Sequence, residues 1–325
     1  MHKGLIRISA AALFVVSLFA APPSRAQSYP NHQIDLIVPF VAGGTTDTVA
    51  RLIAQRLADR WGQPTIVNNR PGGGSSIGTN LVAKAVPDGH TLLVTTIAFA
   101  INASLQKQSF DAVKDFVPIT EIASIPLMLV VHNSLPATNV KEFIEYSKAQ
   151  PAGLDYATSG PGTSTHLAAE MFKTMTGANL VHVPFKGNAE VLNALLGGHV
   201  KVHFALTAST LQHVRSGALR VLAVTTEKRL PELPDVPTIA ELGYPGYEIS
   251  SWQGVFAPAG TSKDIIDKLN GEIVAMLQTP EVKARITREG ADPVGSSPEQ
   301  WSERFRNEVA KWAKVARGAG LAAAN

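Results

Sequence analysis

The chain has 325 residues, of which 45% are hydrophobic and none is cysteine, with 29 Lys+Arg against 26 Asp+Glu. Without cysteine there is no disulfide framework and no site for a lipidated thiol, so the fold must rest on a buried core, and about 300 residues suffice for two domains. Three of the basic residues (Lys3, Arg7 and Arg25) lie in the first 26 positions, and without them the count is 26 against 26, which removes support for a nucleic-acid or polyanion partner.

Residues 1–26 read as a cleavable export signal. Lys3 and Arg7 precede an apolar run from Ala10 to Ala21, and Ser24-Arg25-Ala26 sets small residues at −3 and −1 of a cleavage before Gln27. The run is too short to span a bilayer, which favours export over an anchor.

Ile34–Val38 then predicts a buried strand, stopped by Pro39. Gly43-Gly44 makes a turn, and Thr45-Thr46-Asp47 opens a segment with Val49, Leu52, Ile53 and Leu57 at helical spacing. A polar cap with Asp47 in the first turn suits the positive end of a helix. Such a strand, small-residue loop and capped helix make either an ordinary βα turn or an anion site of free backbone N–H groups. Arg51, one turn on, is placed to pair with an acid. Thr65–Val67 predicts a short strand, Asn68–Gly74 a loop, and Ser75 or Ser76 the cap of a helix carrying Ile77, Leu81, Val82 and Ala85. After the turn Pro87-Asp88-Gly89, Thr91–Thr96 reads as a buried strand ending in the hydroxyls of Thr95 and Thr96. This β-α-β-α-β order predicts a mostly parallel sheet, with ligands beyond the carboxyl ends of its strands.

A second α/β block follows: a strand at Leu127–Val131, a helix from Val140 to Ala149, and a strand at Leu154–Thr158. The loop Ser159-Gly160-Pro161-Gly162-Thr163-Ser164 repeats the chemistry of the first loop and again leads into a helix. Strands at Leu180–Val183, Val200–Leu206 and Leu219–Thr225 surround a helix at Ala189–Leu196, and helices are expected at Lys263–Leu277, Glu281–Glu289 and Pro298–Arg317. Two loops of one chemical type in successive α/β blocks predict a cleft between domains.

Gly74-Ser75-Ser76-Ile77-Gly78 matches the G-x-S-x-G of serine hydrolases, which makes an exported esterase using Ser76 the enzymatic alternative; the intervening Asn68–Gly74 loop argues against a strand-to-serine elbow. Thr79 stands where a phosphate loop needs lysine, and Thr165 where a third glycine would complete Gly160-x-Gly162. His166 and Glu170, one helical turn apart, lack a third metal ligand, and a hydrogen bond between them or a cleft-facing His166 is expected instead. His203 is expected to pack or meet solvent. Lys186 reads as a surface charge or a cation at the cleft edge. No catalytic residue, metal or cofactor is predicted.

The chain resembles the Bug-type receptors, the solute-binding subunits of tripartite tricarboxylate transporters. The resemblance rests on Pro39–Asp47, Val67–Gly72, Pro87–Leu92, Ser159–Leu167, His182–Gly187, Leu233–Thr238 and Pro258–Thr261, which together cover almost the whole chain after residue 26. It implies an α/β, two-domain, type II periplasmic-binding (Venus-flytrap) fold crossed near Pro126 and Ser250. Domain 1 would comprise 27–126 and 250–325, and domain 2 would comprise 127–249. It also implies a monomeric, non-enzymatic periplasmic receptor that hands a small carboxylate to membrane permease subunits, or a ligand-sensing partner of a membrane signalling protein. The ligand site would draw on Phe40, Ala42, Gly43, Gly44, Thr45, Thr46 and Asp47, on Thr95 and Thr96, and on Ser159, Gly162, Thr163, Ser164 and His166. Phe185 and Ala205 would also contribute. Relatives tend to carry Asp where Ala205 stands, so a non-amino or aromatic carboxylate is expected over an amino acid; they also tend to carry Tyr where Phe185 stands, so one possible hydroxyl contact is missing.

Overall fold

A computed structural model describes residues 29–288 and 290–321; the expected export signal, 1–26, lies outside the described residues. The chain begins with β1 (Ile34–Val38), α1 (Thr45–Trp61), β2 (Thr65–Asn69), a short 3-10 turn at Gly73–Ser75, α2 (Ser76–Ala83), β3 (Thr91–Thr96) and α3 (Ala98–Leu105). β1 pairs in parallel with β2 on one side and β3 on the other, as a β-α-β-α-β order requires. All five β1 residues but Asp35 are buried, because α1 covers one face and α2 the other.

β4 (Phe116–His132) follows, then α4 (Val140–Lys148), β5 (Leu154–Thr158), α5 (Ser164–Thr176), β6 (Leu180–Pro184) and α6 (Asn188–Leu196). After β7 (Val202–Leu206) come α7 (Thr207–Arg215) and β8 (Leu219–Val224), and the chain returns through β9 (Ser250–Pro258), α8 (Lys263–Leu277), α9 (Pro280–Arg288), β10 (Asp292–Pro293) and α10 (Pro298–Gly318). β4 spans 17 residues where the sequence pattern predicts only Leu127–Val131. Its first part, Phe116–Pro126, pairs antiparallel with β9, and its second part, Leu127–His132, pairs antiparallel with β7 and β8. Two α/β units thus share one strand. β2-β1-β3-β9-β4 forms one half of the sheet, and β4-β7-β5-β6 with β8 forms the other.

Three apolar clusters fix the layers. One lies between β1 and β3 and the helices α1 and α8, around Leu36, Ile53, Leu92 and Ile273. Another lies under α6, around Met128, Val191 and Ala205. The third runs across both halves, from Phe99, Trp252, Trp301 and Phe305 to Tyr156, Phe172 and Phe204. α10 joins them: Trp301 and Phe305 pack beside Phe256, while its far end at Gly318 approaches Thr174 of α5. Ser297 caps α10 with a reciprocal Ser297–Gln300 box that satisfies two end N–H groups.

A charged cluster sits where β4 changes partner. Glu121 is 2% exposed; Arg304 donates to its Oε2 at 2.8 Å, and its Oε1 has no hydrogen-bond partner. Burial pushes the Glu121 carboxyl up to about 7, against the pull of Arg304 and with added repulsion from Glu308 and Glu248. The folded chain therefore keeps this proton through a pH range in which the unfolded chain loses it, so stability falls as pH rises from about 4.5 to about 7 and is level above. Glu121→Gln is expected to exceed the parent in denaturant stability by roughly 2–3 kcal/mol at pH 8, with the gap closing toward pH 4.5. A variant less stable than the parent at pH 8 would show that the Arg304 pair outweighs the burial.

Candidate functional site

The carboxyl ends of β1, β3 and β5 each run into a loop and a helix N-terminus. The first loop leaves β1 through Pro39 and Phe40, and Gly43 takes φ +86, a conformation open to glycine. Gly44 is the N-cap of α1, with no side-chain cap, so the first N–H groups of that helix are not satisfied by a capping oxygen. Thr45 is exposed and Thr46 buried. Asp47 is the brace of this loop. Its Oδ2 accepts from the Gly43 N–H at 3.0 Å and from Arg51 Nε at 2.9 Å, and its Oδ1 accepts from Arg51 Nη2 at 3.1 Å and Asn69 Nδ2 at 3.0 Å. The same Asn69 amide donates to the Phe40 carbonyl at 3.2 Å. Burial opposes the charge on Asp47, yet these hydrogen bonds hold its carboxyl below the usual carboxylate range. Asp47 therefore shapes the loop, and Arg51 pairs with it as the spacing predicts.

The second loop follows β5 and is more tightly wired. Gly160 and Gly162 take φ +124 and +74. Thr163 caps α5: its hydroxyl accepts from the His166 N–H at 3.4 Å and lies 2.7 Å from the Gly160 carbonyl. Thr165 Oγ1 accepts from the Ser159 N–H at 3.1 Å. The Gly162 N–H donates to His166 Nδ1 at 3.2 Å, which places the His166 proton on Nε2. Thr158 Oγ1 accepts from the Gly160 N–H at 3.2 Å and sits 2.6 Å from His182 Nε2. The two imidazoles stack with centroids 4.1 Å apart, and Tyr156 stacks on the far side of His182. Burial, together with the neighbouring His182, pushes the His166 imidazole down to about 4. Glu170 does not bond His166; it accepts from Tyr156 at 2.5 Å and Lys173 at 2.8 Å.

Between the loops lies a cavity of about 360 Å³. Phe40 and Val41 line it from the first loop, and Pro161, Gly162 and Thr163 from the second. Asn102 and the Pro71–Ser75 region close it; sequence reasoning missed both, since Asn102 lies in a mostly apolar helix that starts without a polar cap. A methyl on Gly162 would fall 2.9 Å from Asn102 Oδ1, so the two halves meet closely here. No lining side chain is charged. Of the other predicted residues, Ala42, Gly43, Gly44 and Thr45 are exposed on the first loop, whereas Thr95, Ser164, His166 and Ala205 are buried. Thr96 accepts from the Ala98 N–H, and Phe185 packs against the cluster under α6. Gln253, absent from the sequence reading, donates to Thr45 Oγ1 at 3.3 Å while its Oε1 is buried without a partner.

The remaining candidates find other partners. Ser76 lies seven residues beyond the end of β2 and its hydroxyl donates to the Gly73 carbonyl at 2.7 Å, so no strand-to-serine elbow forms. Lys186 is exposed, and His203 is buried with Nδ1 2.9 Å from the Ala157 carbonyl. A larger groove of about 820 Å³ runs beside the β4–β9 crossing; of its four cations, Arg304 and Lys311 pair with Glu121, Glu248 and Glu308, and Arg229 pairs with Glu241, while Lys228 is the fourth.

Residues 49–321 match the family model described as the tripartite tricarboxylate transporter family receptor. Protein BugT of Bordetella pertussis is 38% identical over 311 residues, covering 95% of each chain. A UPF0065 protein from the tcbD-tcbE intergenic region of Pseudomonas sp. strain P51 is 33% identical over 96% of this chain and 94% of its own. Among solved structures, an R. palustris protein with adipate is 40% identical with a TM-score of 0.76, and MatC of Rhodopseudomonas palustris with bound malate is 32% identical with a TM-score of 0.72. They cover 90% and 88% of this chain and 99% of their own. The periplasmic binding protein BugD gives 36% and 0.74 over 90% of this chain and 99% of its own. The α/β fold with two lobes is that of these proteins.

The wiring of the second loop has a direct reporter. The His166 ring resonances are expected to stay constant by NMR from pH 8 to about 5.5 and to titrate with a midpoint of about 4. Because the unfolded imidazole charges near 6.5, this group makes the fold lose stability as pH falls from about 6.5 toward 4. A midpoint near 6.5 would mean that His166 is solvated and does not accept from Gly162.

Proposed function

The chain belongs to the tripartite tricarboxylate transporter receptor family, and on that premise we propose that it is a periplasmic solute-binding receptor that captures a small carboxylate and delivers it to membrane permease subunits. The observation that carries this reading is one cavity set between two glycine loops, each leading into a helix N-terminus, with no charged side chain in its lining. Backbone N–H groups and hydroxyls suit a carboxylate and provide no acid for an ammonium group. The buried methyl of Ala205 at the end of β7 adds none, which favours a plain or aromatic carboxylate over an amino acid. Adipate and malate in the two related structures support the same ligand class.

Magnitudes set what the ligand must find. Micromolar binding needs about 8 kcal/mol. A helix N-terminus contributes about 0.3–1 kcal/mol to an anion, and about 2 when partly buried, so two fall short. Several hydrogen bonds to a charged carboxylate, at about 1.5–3 kcal/mol each, supply the difference before ordering costs. Those donors come from both loops, so the ligand favours the state in which the halves approach. The halves are taken as 27–126 with 250–325, and 127–249, with the chain crossing at Pro126 and Ser250, where β4 changes partner and β9 begins. Thr45, Thr46, Ser159 and Ser164 would donate through hydroxyl or backbone N–H, and Thr163 would do so on releasing the Gly160 carbonyl to which its hydroxyl donates; Gly43, Gly44 and Gly162 allow close approach, and Asp47 and His166 hold the loops. The receptor works as a monomer, without cofactor or chemistry.

Gly44 isolates binding from folding. Its φ is −79, and a Cβ there would meet only the Val41 carbonyl at 3.8 Å. Gly44→Leu is therefore expected to fold, with a stability loss of about 1 kcal/mol, while its side chain blocks approach to the first turn of α1. Isothermal titration with adipate, malate and benzoate should give micromolar binding of at least one acid by the parent and a loss of at least 100-fold in the variant. Unchanged affinity in folded Gly44→Leu would remove this loop from the site. Ligand preference is a separate test: succinate is expected to bind more tightly than aspartate, and the opposite order would overturn the non-amino reading.

A further inference from the structure

We propose that His32, Asp88 and His90 form a binding site for a divalent transition metal of the zinc class. One ligand atom from each lies within 4.8 Å of the others. The histidines are far apart in sequence, so no spacing motif announces them; the pairing of β1 with β3 brings together the segments that lead into these strands. His90 directly precedes β3, and His32 lies two residues before β1.

His32 and Asp88 each have a lone pair to give, and His90 supplies one at Nδ1 once its proton moves to Nε2. His32 Nδ1 lies 2.5 Å from the Asn31 side-chain oxygen, so the ring donates there and leaves Nε2 unprotonated. A metal-bound imidazole is oriented in this way, by a carbonyl on its second nitrogen. His90 is 7% exposed, and its buried Nδ1 has no hydrogen-bond partner. Its Nε2 accepts a long, 3.4 Å contact from the Asn31 N–H, which places the neutral ring's proton on Nδ1; binding through Nδ1 moves that proton to Nε2 and breaks this contact. Asp88 accepts the His90 N–H at 2.9 Å through Oδ1, the oxygen that also lies 3.3 Å from His90 Nδ1, so the carboxylate is held beside the orphaned nitrogen. Two imidazoles and a carboxylate suit zinc, with water completing four-coordination.

Binding also requires the two rings to unstack. The rings are stacked 3.6 Å apart at 13°, and metal–nitrogen bonds lie in the ring plane, so both rings cannot point at one ion as they stand. His32 is exposed and can turn off the stack. The bound ion would fasten the segment before β1 to the turn before β3. Both points lie at the amino ends of parallel strands, the sheet edge opposite the cleft and roughly 16 Å away at about 3.3 Å per residue. The site is thus independent of the carboxylate reading.

The test is to titrate the untagged chain from Gln27 onward with zinc chloride by calorimetry, and with cobalt chloride by visible absorption. Expected are a saturable 1:1 complex with micromolar Kd, d–d bands of low-symmetry cobalt, and a rise in Tm that EDTA reverses. His32→Ala, at an exposed position that leaves the fold intact, should weaken zinc at least tenfold while leaving any carboxylate affinity unchanged; His90→Gln should do the same. Absence of saturable binding, or equal zinc affinity in His32→Ala, would overturn the assignment.

Discussion

The hydrogen bonds along β4 pass from β9 to β7 and β8 at Pro126, and the placement of both glycine loops follows from that change of partner. Before it, the strand belongs to a unit in which β1 and β3 carry their loops at their carboxyl ends. After it, the strand belongs to a unit in which β5 does the same. Because one strand serves both, the loops open toward a common cavity instead of onto separate surfaces. The cluster of Glu121, Arg304, Glu248, Glu308 and Lys311 lies at this junction, where the carboxylates of Glu121 and Glu308 are buried and an unpaired charge on either is costly.

The two loops solve one problem by different means. On the proposed function each keeps backbone N–H groups available to an anion, which requires that the rest of the loop be held by something other than those groups. In the first loop the holder is charged: Asp47, fixed by Arg51 and Asn69, takes the Gly43 N–H. In the second it is neutral: His166 takes the Gly162 N–H, and Thr158, backed by His182, takes that of Gly160. Burial keeps His166 uncharged, and a proton on Nδ1 would abolish its role as acceptor. Asp47 is thus a brace of the cleft and not its charge.

Much of this was legible in the sequence, for identifiable reasons. β1, β3 and β5 are short apolar runs bounded by Gly, Pro or hydroxyl residues, and α1, α5, α8 and α10 show apolar residues at helical spacing. Both loops stood out because small residues sit between a strand and a helix. The first part of β4 did not, because Pro118 argues against a central strand; the structure accommodates it at a register shift beside β9. α3 escaped notice because Ile97 is its N-cap and it carries no polar start signal. The contacts that cross between segments, Asn69 to Phe40, Asn102 to Gly74 and Gln253 to Thr45, depend on which strands neighbour one another, and no local pattern encodes that. The spacing of His166 and Glu170 allows either a hydrogen bond between them or a cleft-facing His166, and only the fold shows that Glu170 belongs to Tyr156 and Lys173.

The central claim is that a carboxylate is held between the two loops by backbone and hydroxyl donors. The most direct measurement is a crystal structure of the protein grown with the tightest-binding acid. The account predicts carboxylate oxygens within hydrogen-bond distance of donors in both Gly43–Thr46 and Ser159–Ser164, directly or through one water, with Asp47 still bound to Arg51. An acid seated instead in the charged groove beside Arg304 and Lys311, with both glycine loops untouched, would contradict it.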